Sequence, residues 1–169
     1  MIKALLVNLL FFVSLFGTGL PSSYYEIKDI KKQKQAFFDI LAPIIEEERK
    51  HVLKQRNFVL RYFHLKSSFL GFRHDGLASF ELMKLKKQYK IEDMYNLDEY
   101  LTKIDAIPTS IILAQAALES GWGKSRFVRE ANNFFGQWTY SGRGLIPKNR
   151  DAGAKHRIKI FDSLQDSIQ

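Results

Sequence analysis

An apolar run that ends in an acid constrains this chain more than any other feature. Residues 107–119 read IPTSIILAQAALE, and Gln115 is the one polar residue between positions 111 and 118. A helix that is apolar on all sides is typical of the centre of a domain, and Pro108 suits its first turn. The glycines of GWG follow at once and indicate the end of the helix. We therefore predict a buried central helix that carries Glu119 at its C-terminal end.

An acid in that position carries its charge where a helix disfavours it. The macrodipole is negative at a helix C-terminus, and burial of the helix would strip water from the Glu119 carboxylate. Both effects favour the protonated carboxyl. Cleavage of a glycosidic bond needs a carboxylic acid that keeps its proton near neutral pH. The sequence thus predicts Glu119 as a catalytic acid.

Side chains that suit carbohydrate follow Glu119 closely in the sequence. Flat apolar faces could stack on sugar rings, and amides could bond hydroxyl and acetamido groups. The aromatic candidates are Trp122, Phe134, Phe135, Trp138 and Tyr140, and the amide candidates are Asn132, Asn133 and Gln137. Glycines 121, 123 and 136 would let the backbone approach a ligand closely. Any single aromatic among them is equally well explained by packing in a core, and the two asparagines by helix capping.

The charge balance and the missing residue types exclude several classes of function. Lysine and arginine number 26 against 18 acidic residues, which gives a formal net charge of +8. There is no cysteine, and the four histidines show no HxxxH or HxH spacing, so we predict no metal site. No GxGxxG, Walker or HExxH motif is present, and we predict no cofactor. In an exported protein the basic surface favours anionic cell-wall polymers or a membrane surface over nucleic acid, and we expect a monomer.

The first 23 residues have the layout of a secretory signal peptide. Lys3 gives a basic start, residues 4–16 form an apolar core, and small residues follow. A core of 13 residues is short for a membrane span, which needs roughly 20, and an uncleaved anchor is the alternative. We therefore predict export to the periplasm or the cell surface. The rest of the chain divides into an N-terminal helical region, 24–105, and a catalytic core, 106–169.

Helical periodicity covers most of the chain before the apolar run. Residues 24–63 look like an amphipathic helix that Pro43 would kink or break, and further helices are predicted in LASFELMKLKKQY, NLDEYLTKID and SRFVREANNFFG. After Gly136, QWTYS and HRIKIF have strand character around the turn-rich GRGLIPKNRDAGAK, which predicts a β-hairpin with a long tip. Ser163 and Asp166 form a capping-box start, but the chain ends before a helix has room to form.

One segment carries a resemblance to a known family. Residues 106–138, AIPTSIILAQAALESGWGKSRFVREANNFFGQW, strongly resemble the glucosaminidase family of bacterial cell-wall hydrolases, which is described as mannosyl-glycoprotein endo-β-N-acetylglucosaminidase-like. The surrounding chain, including KKQKQAFFDILAPIIEEERK and GRGLIPKNRDAGAKHRIKIFDS, looks like its Bax-type subgroup. The resemblance covers roughly residues 28–169. It implies a predominantly helical, lysozyme-like α+β domain with a small β-hairpin lobe, which cuts β-1,4 bonds in the N-acetylglucosamine/N-acetylmuramic acid backbone of peptidoglycan.

The resemblance also implies roles for particular residues. Glu119 takes the role of catalytic acid, and Ser120 supports the orientation of its carboxyl. The residues that would line the sugar groove are Asn133, Phe135, Gly136 and Trp138. Asp151, in the tip of the hairpin, is a candidate for a second acid that activates water. Members of the family continue into a helical segment with an aromatic residue that faces the substrate, so the chain looks truncated after Gln169.

Three functions stay open at this point, beside the weakest option of a signal-anchored partner protein, which rests only on residues 4–20. The first is hydrolysis by an N-acetylglucosaminidase, through a second carboxylate or through the 2-acetamido group of the substrate. The second is lytic transglycosylation, which also uses a Glu-Ser pair at the end of a buried helix. The third is a non-catalytic protein that binds the cell wall through its basic surface.

Overall fold

A computed structural model describes residues 19–67 and 76–169, with the side chains of residues 66 and 67 left aside. The core of the predicted signal peptide and most of the predicted loop SSFLGFRHDG lie outside the described residues. The helices are α1 (Ser22–Glu26), α2 (Ile30–Ser67), α3 (Gly76–Gln88), α4 (Leu97–Lys103), α5 (Thr109–Ser120), α6 (Arg126–Ala131) and α7 (Leu164–Ile168). The strands are β1 (Trp138–Thr139), β2 (Gly144–Leu145) and β3 (Arg157–Lys159). Within these ranges no helix has both the length and the apolar character needed to cross a membrane.

The predominantly helical α+β class is confirmed, with one correction to the sheet. Its three strands are antiparallel in the order β1-β3-β2, with Trp138 opposite Ile158 and Gly144 opposite Lys159. The predicted hairpin had two strands, and the sequence that forms β2 was assigned to its tip. A strand of two residues is too short to show alternation of apolar and polar side chains, so glycine dominated the pattern there. A β-carbon on Gly144 would lie 2.6 Å from the β-carbon of Arg157, which explains why a residue without a side chain lies in this strand.

The described chain forms two compact units, and their division differs from the predicted boundary at residues 105 and 106. Within the described residues, the first unit contains residues 19–41 together with Leu113–Gln169, and the second contains Ala42–Ile112. The first unit is discontinuous in sequence because an N-terminal segment packs with the residues that follow α5. A composition pattern read along the chain cannot reveal such a pairing of distant segments.

Each unit has its own apolar core. In the first unit, the core residues are Leu20, Tyr24, Phe37, Leu41, Ala116, Ala117, Val128, Ala131, Phe134, Ile158, Phe161 and Leu164. In the second unit they are Val59, Tyr62, Leu82, Leu85, Ile91, Tyr100 and Ile104. Arg56 supports the second core by donating to the carbonyl oxygens of Leu101 and Ile104, both at 2.6 Å, so that its guanidinium satisfies the C-terminal end of α4.

Side-chain caps mark the starts of α4 and α7. The Asn96 side chain accepts from the amide of Glu99 at the start of α4. The capping box of Ser163 and Asp166 is present, and α7 does form over five residues, so the prediction that no helix had room there was wrong. Helix α2 runs through Pro43 without a break. A proline inside a helix removes one backbone hydrogen bond, and a helix of 38 residues retains many others.

Helix α5 is not buried on all sides, which corrects the prediction of a buried central helix. Only Ala116, Ala117 and Ser120 are buried, whereas Ile111 is 55% exposed and Leu118 is 83% exposed. The buried positions form one narrow stripe of small side chains. The sequence could not show which face of α5 is buried, because apolar side chains occur on all of its faces.

Candidate active site

The C-terminal end of α5 is fixed by a glycine turn. The chain enters the left-handed region at Gly121, with φ of 56°, and the amide of Trp122 donates to the carbonyl of Ala117 at 2.8 Å. This six-residue closure is the Schellman arrangement. The hydroxyl of Ser120 donates to the carbonyl of Ala116 at 2.5 Å and accepts from the amide of Gly123 at 2.7 Å. Ser120 is buried and bound to the backbone on both sides, so it holds the helix end and is not exposed to a ligand.

Trp122 adopts a backbone conformation that a non-glycine residue rarely adopts. Its φ is 58°, which costs an L-residue roughly 1–2 kcal/mol. The surroundings maintain this conformation, because the indole packs edge-on against Phe37 and Phe38 with ring centroids 5.5 Å apart in both pairs. Tyr24 donates its hydroxyl to the Trp122 carbonyl at 2.6 Å, and burial raises the pKa of Tyr24, which keeps that donor protonated. Trp122 is therefore a half-buried packing residue, and its predicted stacking on a sugar stays a prediction.

Glu119 lies on the exposed side of the last turn of α5. Its carboxylate accepts one hydrogen bond from the side-chain amide of Gln115, one turn earlier, at 2.9 Å. The prediction that burial strips water from this carboxylate is therefore wrong, because the side of the helix that carries it faces solvent. Its position at the negative end of the helix stands as predicted. Across the described ranges, Glu119 forms no ion pair.

The two predicted asparagines are structural. Asn132 ends α6 with φ of 53°, accepts from the amide of Gly19 at 2.6 Å and donates to the carbonyl of Phe161 at 3.0 Å. Asn133 donates to the carbonyls of Gln137 and Lys159 at 3.0 and 2.9 Å. Both side chains are 1% exposed. Buried amides with these partners join α6 to the sheet, and no surface of either is available to a sugar, which corrects their predicted role as ligand contacts.

The remaining predicted groove residues divide into a packed set and an exposed set. Phe135 and Gly136 are half-buried, and so is Gln137, whose side-chain oxygen has no partner in the part of the chain that the structure describes. Trp138 is 58% exposed and Tyr140 is 75% exposed. These two rings are therefore the predicted aromatics that present a free apolar surface.

Sequence reasoning missed His156 and Gln115. The imidazole of His156 stacks on the indole of Trp138, with ring centroids 4.3 Å apart and planes 17° from parallel. The pairing of β1 with β3 creates this contact, and register between strands eighteen residues apart was not predictable from the strand pattern. Gln115 could have been found, because residues four apart on a helix face each other and Gln115 is four residues before Glu119.

The second predicted acid lies apart from regular structure. Asp151 is exposed in the connection between β2 and β3, where its carbonyl accepts from the amide of Ala154 at 3.1 Å. The other acid of this lobe, Asp162, is paired with Arg143. No contact joins Asp151 to Glu119 among the described residues. Asp151 stays a prediction, since nothing in these contacts tests it.

Residues 20–25, in the N-terminal segment of the first unit, pack against the turn after α5. Leu20 is buried and fills the position next to Gly123, where a β-carbon would collide with it. Tyr25 donates its hydroxyl to the carbonyl of Gly123 at 3.1 Å, and the guanidinium of Arg129 lies 4.4 Å from the Tyr25 ring centre. The predicted leader was to end at residue 23, yet the folded unit includes residues upstream of that point. The boundary at residue 23 stays a prediction, and most of the predicted leader lies outside the described residues.

Among the described residues, no group of three or more potential metal ligands is found. A mainly helical α+β fold, with an exposed acid at the end of α5 and free aromatic rings on the sheet, is consistent with the lysozyme-like class of glycosidase folds. Residues 95–169 match the family model of the glucosaminidases, described as mannosyl-glycoprotein endo-beta-N-acetylglucosaminidase. The C-terminal part of the chain is thus similar to the glucosaminidase family.

The comparison with curated proteins agrees with the resemblance to the Bax-type subgroup. The chain is 29% identical over 141 residues to "Protein bax" of Escherichia coli (strain K12). The aligned part covers 80% of this chain and 48% of the relative, so the chain spans about half the length of that protein. No solved structure matches the chain significantly.

Proposed function

We propose that the chain is a peptidoglycan hydrolase that cleaves β-1,4 bonds between N-acetylglucosamine and N-acetylmuramic acid, with Glu119 as general acid. The exposed Glu119 carboxyl at the end of a rigidly capped helix carries this proposal. Among the residues that the structure describes, its one side-chain partner is the neutral amide of Gln115, at 2.9 Å. A carboxyl without a cationic partner is free to give its proton to the leaving oxygen of a sugar, which an acid held in a salt bridge is not.

The second component of the proposed site is the exposed aromatic surface of the sheet. Trp138 and Tyr140 offer apolar faces, and His156 braces the indole from one side. Sugar rings have apolar faces that stack on such side chains, so this surface is proposed to bind the glycan strand. The stacked imidazole orders the Trp138 ring before the ligand arrives, which lowers the entropic cost of binding.

The partner of Glu119 in the reaction is also proposed. Asp151 is the acid of the sheet lobe that has no ion pair among the described residues, and it could activate the attacking water. The alternative is attack by the substrate's own 2-acetamido group, for which no second carboxylate is needed. Replacement of Asp151 by Asn separates the two routes, because only the first route loses its rate.

The test of the function is the variant Glu119→Gln, assayed on purified peptidoglycan. The change removes the transferable proton and keeps the shape, so we expect turnover to fall by about a hundred- to ten-thousand-fold. The matched control is Glu81→Gln, which alters an exposed helical glutamate paired with Lys84 in the second unit. Retained turnover in Glu119→Gln would contradict the proposed role.

Mass spectrometry of the products tests the competing functions in the same experiment. A reducing N-acetylglucosamine end supports the proposed hydrolase. An anhydro-muramyl product would establish a lytic transglycosylase in its place. Binding of the wild-type chain to cell walls without any turnover would identify a non-catalytic binding protein.

The cellular location is proposed together with the substrate. Peptidoglycan lies outside the cytoplasmic membrane, so we propose that the protein acts in the periplasm or at the cell surface. The formal net charge of +8 would hold it near anionic wall polymers or headgroups. Fractionation of cells that express the full chain tests this proposal.

A further inference from the structure

A cavity with two cationic side chains lies beside the sheet in the first unit. It has a volume of about 350 Å³ and is lined by Arg126, Phe127, Pro147, Lys148 and Asn149. Two of these residues belong to α6, and the other three belong to the connection between β2 and β3. None of them is among the residues proposed for glycan cleavage.

The Arg126 guanidinium already makes hydrogen bonds within the fold. Its Nε donates to the carboxylate of Glu130 at 3.0 Å, which fixes the plane of the guanidinium. Its two terminal nitrogens both reach the carbonyl of Ile146 at 3.5 Å, which is at the long limit of a hydrogen bond. Nε holds the guanidinium in place, and the two terminal nitrogens make only long hydrogen bonds. These two nitrogens can therefore donate in parallel to the two oxygens of a carboxylate.

The other polar groups of the cavity are free within the described ranges. Lys148 has no ion pair there, and the side chain of Asn149 makes no hydrogen bond there. An ammonium group adds a second positive charge, and a primary amide can both donate to and accept from a peptide group. Phe127 and Pro147 supply apolar walls for aliphatic atoms. The lining therefore complements a molecule that combines a carboxylate, a peptide group and a short apolar stem.

We infer that this cavity binds the carboxylate-bearing peptide substituent of the glycan strand, and thereby selects peptide-bearing peptidoglycan over bare glycan. The identity of the ligand rests on the proposed function, whereas the binding itself requires no catalysis. An inorganic anion would use the two cations but not the amide or the apolar walls. A short acidic peptide uses the guanidinium, the ammonium, the amide and the apolar walls.

The experiment is a titration of the full chain with a free acidic tripeptide, followed by NMR of backbone amides and by calorimetry. We expect shifts confined to the amides that line the cavity, and saturation that is lost when the carboxylates of the tripeptide are amidated. Inorganic phosphate and uncharged chito-oligosaccharide are titrated in parallel. Phosphate binding at these amides without tripeptide binding would overturn the inference, and so would equal binding of the amidated tripeptide.

Two variants test the geometry. Arg126→Lys keeps the charge but removes the fork, and we expect tripeptide affinity to fall about tenfold. Lys148→Gln removes an exposed charge and should weaken binding about threefold. The control, Lys155→Gln, removes an exposed charge elsewhere in the same connection and should leave binding unchanged. Equal affinities for Lys148→Gln, Arg126→Lys and the control would contradict the assignment of the cavity.

The two proposals can fail separately. If the chain binds the tripeptide but never cleaves peptidoglycan, the proposed function fails and the binding site stands. If Glu119→Gln abolishes turnover while the tripeptide does not bind, the hydrolase stands and the inference about this cavity fails.

Discussion

Two glutamates at opposite ends of helices show how differently this fold uses a carboxylate. Glu99 lies in the first turn of α4, where the helix end is positive, and accepts from the amides of Glu92 and Asp93 at 2.8 and 3.2 Å. Lys103 donates to it at 2.7 Å from one turn later. The hydrogen bond from Lys103 is the largest cause that lowers the pKa of Glu99 to about 2, followed by the backbone amide of Glu92.

Glu119 lies at the other kind of helix end. The dipole there disfavours a negative charge, no cation is paired with it in the described chain, and its carboxylate faces solvent. In the second unit the Glu99 carboxylate therefore ties the turn at residues 92 and 93 to α4, whereas in the first unit Glu119 makes no such structural bonds to the backbone among the described residues. An acid with few partners in the folded state is the one available to react.

The largest expected effect is seen when turnover and stability are both measured on the glutamine variants of Glu119 and Glu99. Glu119→Gln should abolish nearly all turnover, by about a hundred- to ten-thousand-fold, and leave the midpoint of urea unfolding unchanged. Glu99→Gln should lower that midpoint and keep turnover, because Glu99 accepts bonds that tie the turn before α4 and Lys103 to the helix. Turnover on peptidoglycan and urea unfolding, measured on both variants, check the comparison. A loss of stability in Glu119→Gln would show that its carboxylate also has a structural duty.

The sequence was most informative where a single local rule decides the structure. The capping box at Ser163 depends on side chains within three residues of the helix start. The glycine end of α5 was predicted for the same reason. The position of Glu119 at that end could therefore be predicted, although the burial around it could not.

Burial and pairing between distant segments decided the rest. Asn133 and Trp138 have equally plausible ligand roles in sequence, yet one is buried under the sheet and the other is exposed on it. The difference arises because Asn133 bonds to the backbone of β3, 26 residues away. No pattern along the chain reveals which of two neighbouring polar or aromatic groups such a contact will bury.

The second largest effect concerns Asn133, whose buried side chain bonds to the backbone near the sheet. Asn133→Ala removes two donated bonds and one accepted bond, leaving backbone groups near the sheet without partners, and should cost about 2–4 kcal/mol of stability. Urea unfolding measures the loss. The control is Asn149→Ala, which removes an exposed amide that makes no side-chain bond in the described ranges and should be nearly neutral. A stable Asn133→Ala protein with weakened glycan binding would return Asn133 to the role that the sequence predicted.

The third effect concerns the exposed aromatic surface. Trp138→Ala removes the ring braced by His156, and we expect affinity for chito-oligosaccharide to fall about three- to tenfold with little change in stability. Calorimetric titration of the inactive Glu119→Gln background isolates binding from turnover. Phe80→Ala, at a ring that is 55% exposed in the second unit, is the control. Unchanged affinity in Trp138→Ala would remove this surface from the proposed site.

The smallest effect is the pH dependence of the contribution of Glu99. Because its pKa is about 2 in the folded chain and near 4.5 in an unfolded one, the folded state favours the ionised form. The stabilisation is therefore complete above about pH 4.5 and is lost as the pH falls towards 2. Urea unfolding of the wild type and of Glu99→Gln should show a constant gap between pH 7 and 5 that closes on acidification. Glu81→Gln, which removes one exposed pair with Lys84, should change stability little throughout. A gap that persisted at pH 2 would mean that the shape of Glu99, and not its charge, holds the turn before α4.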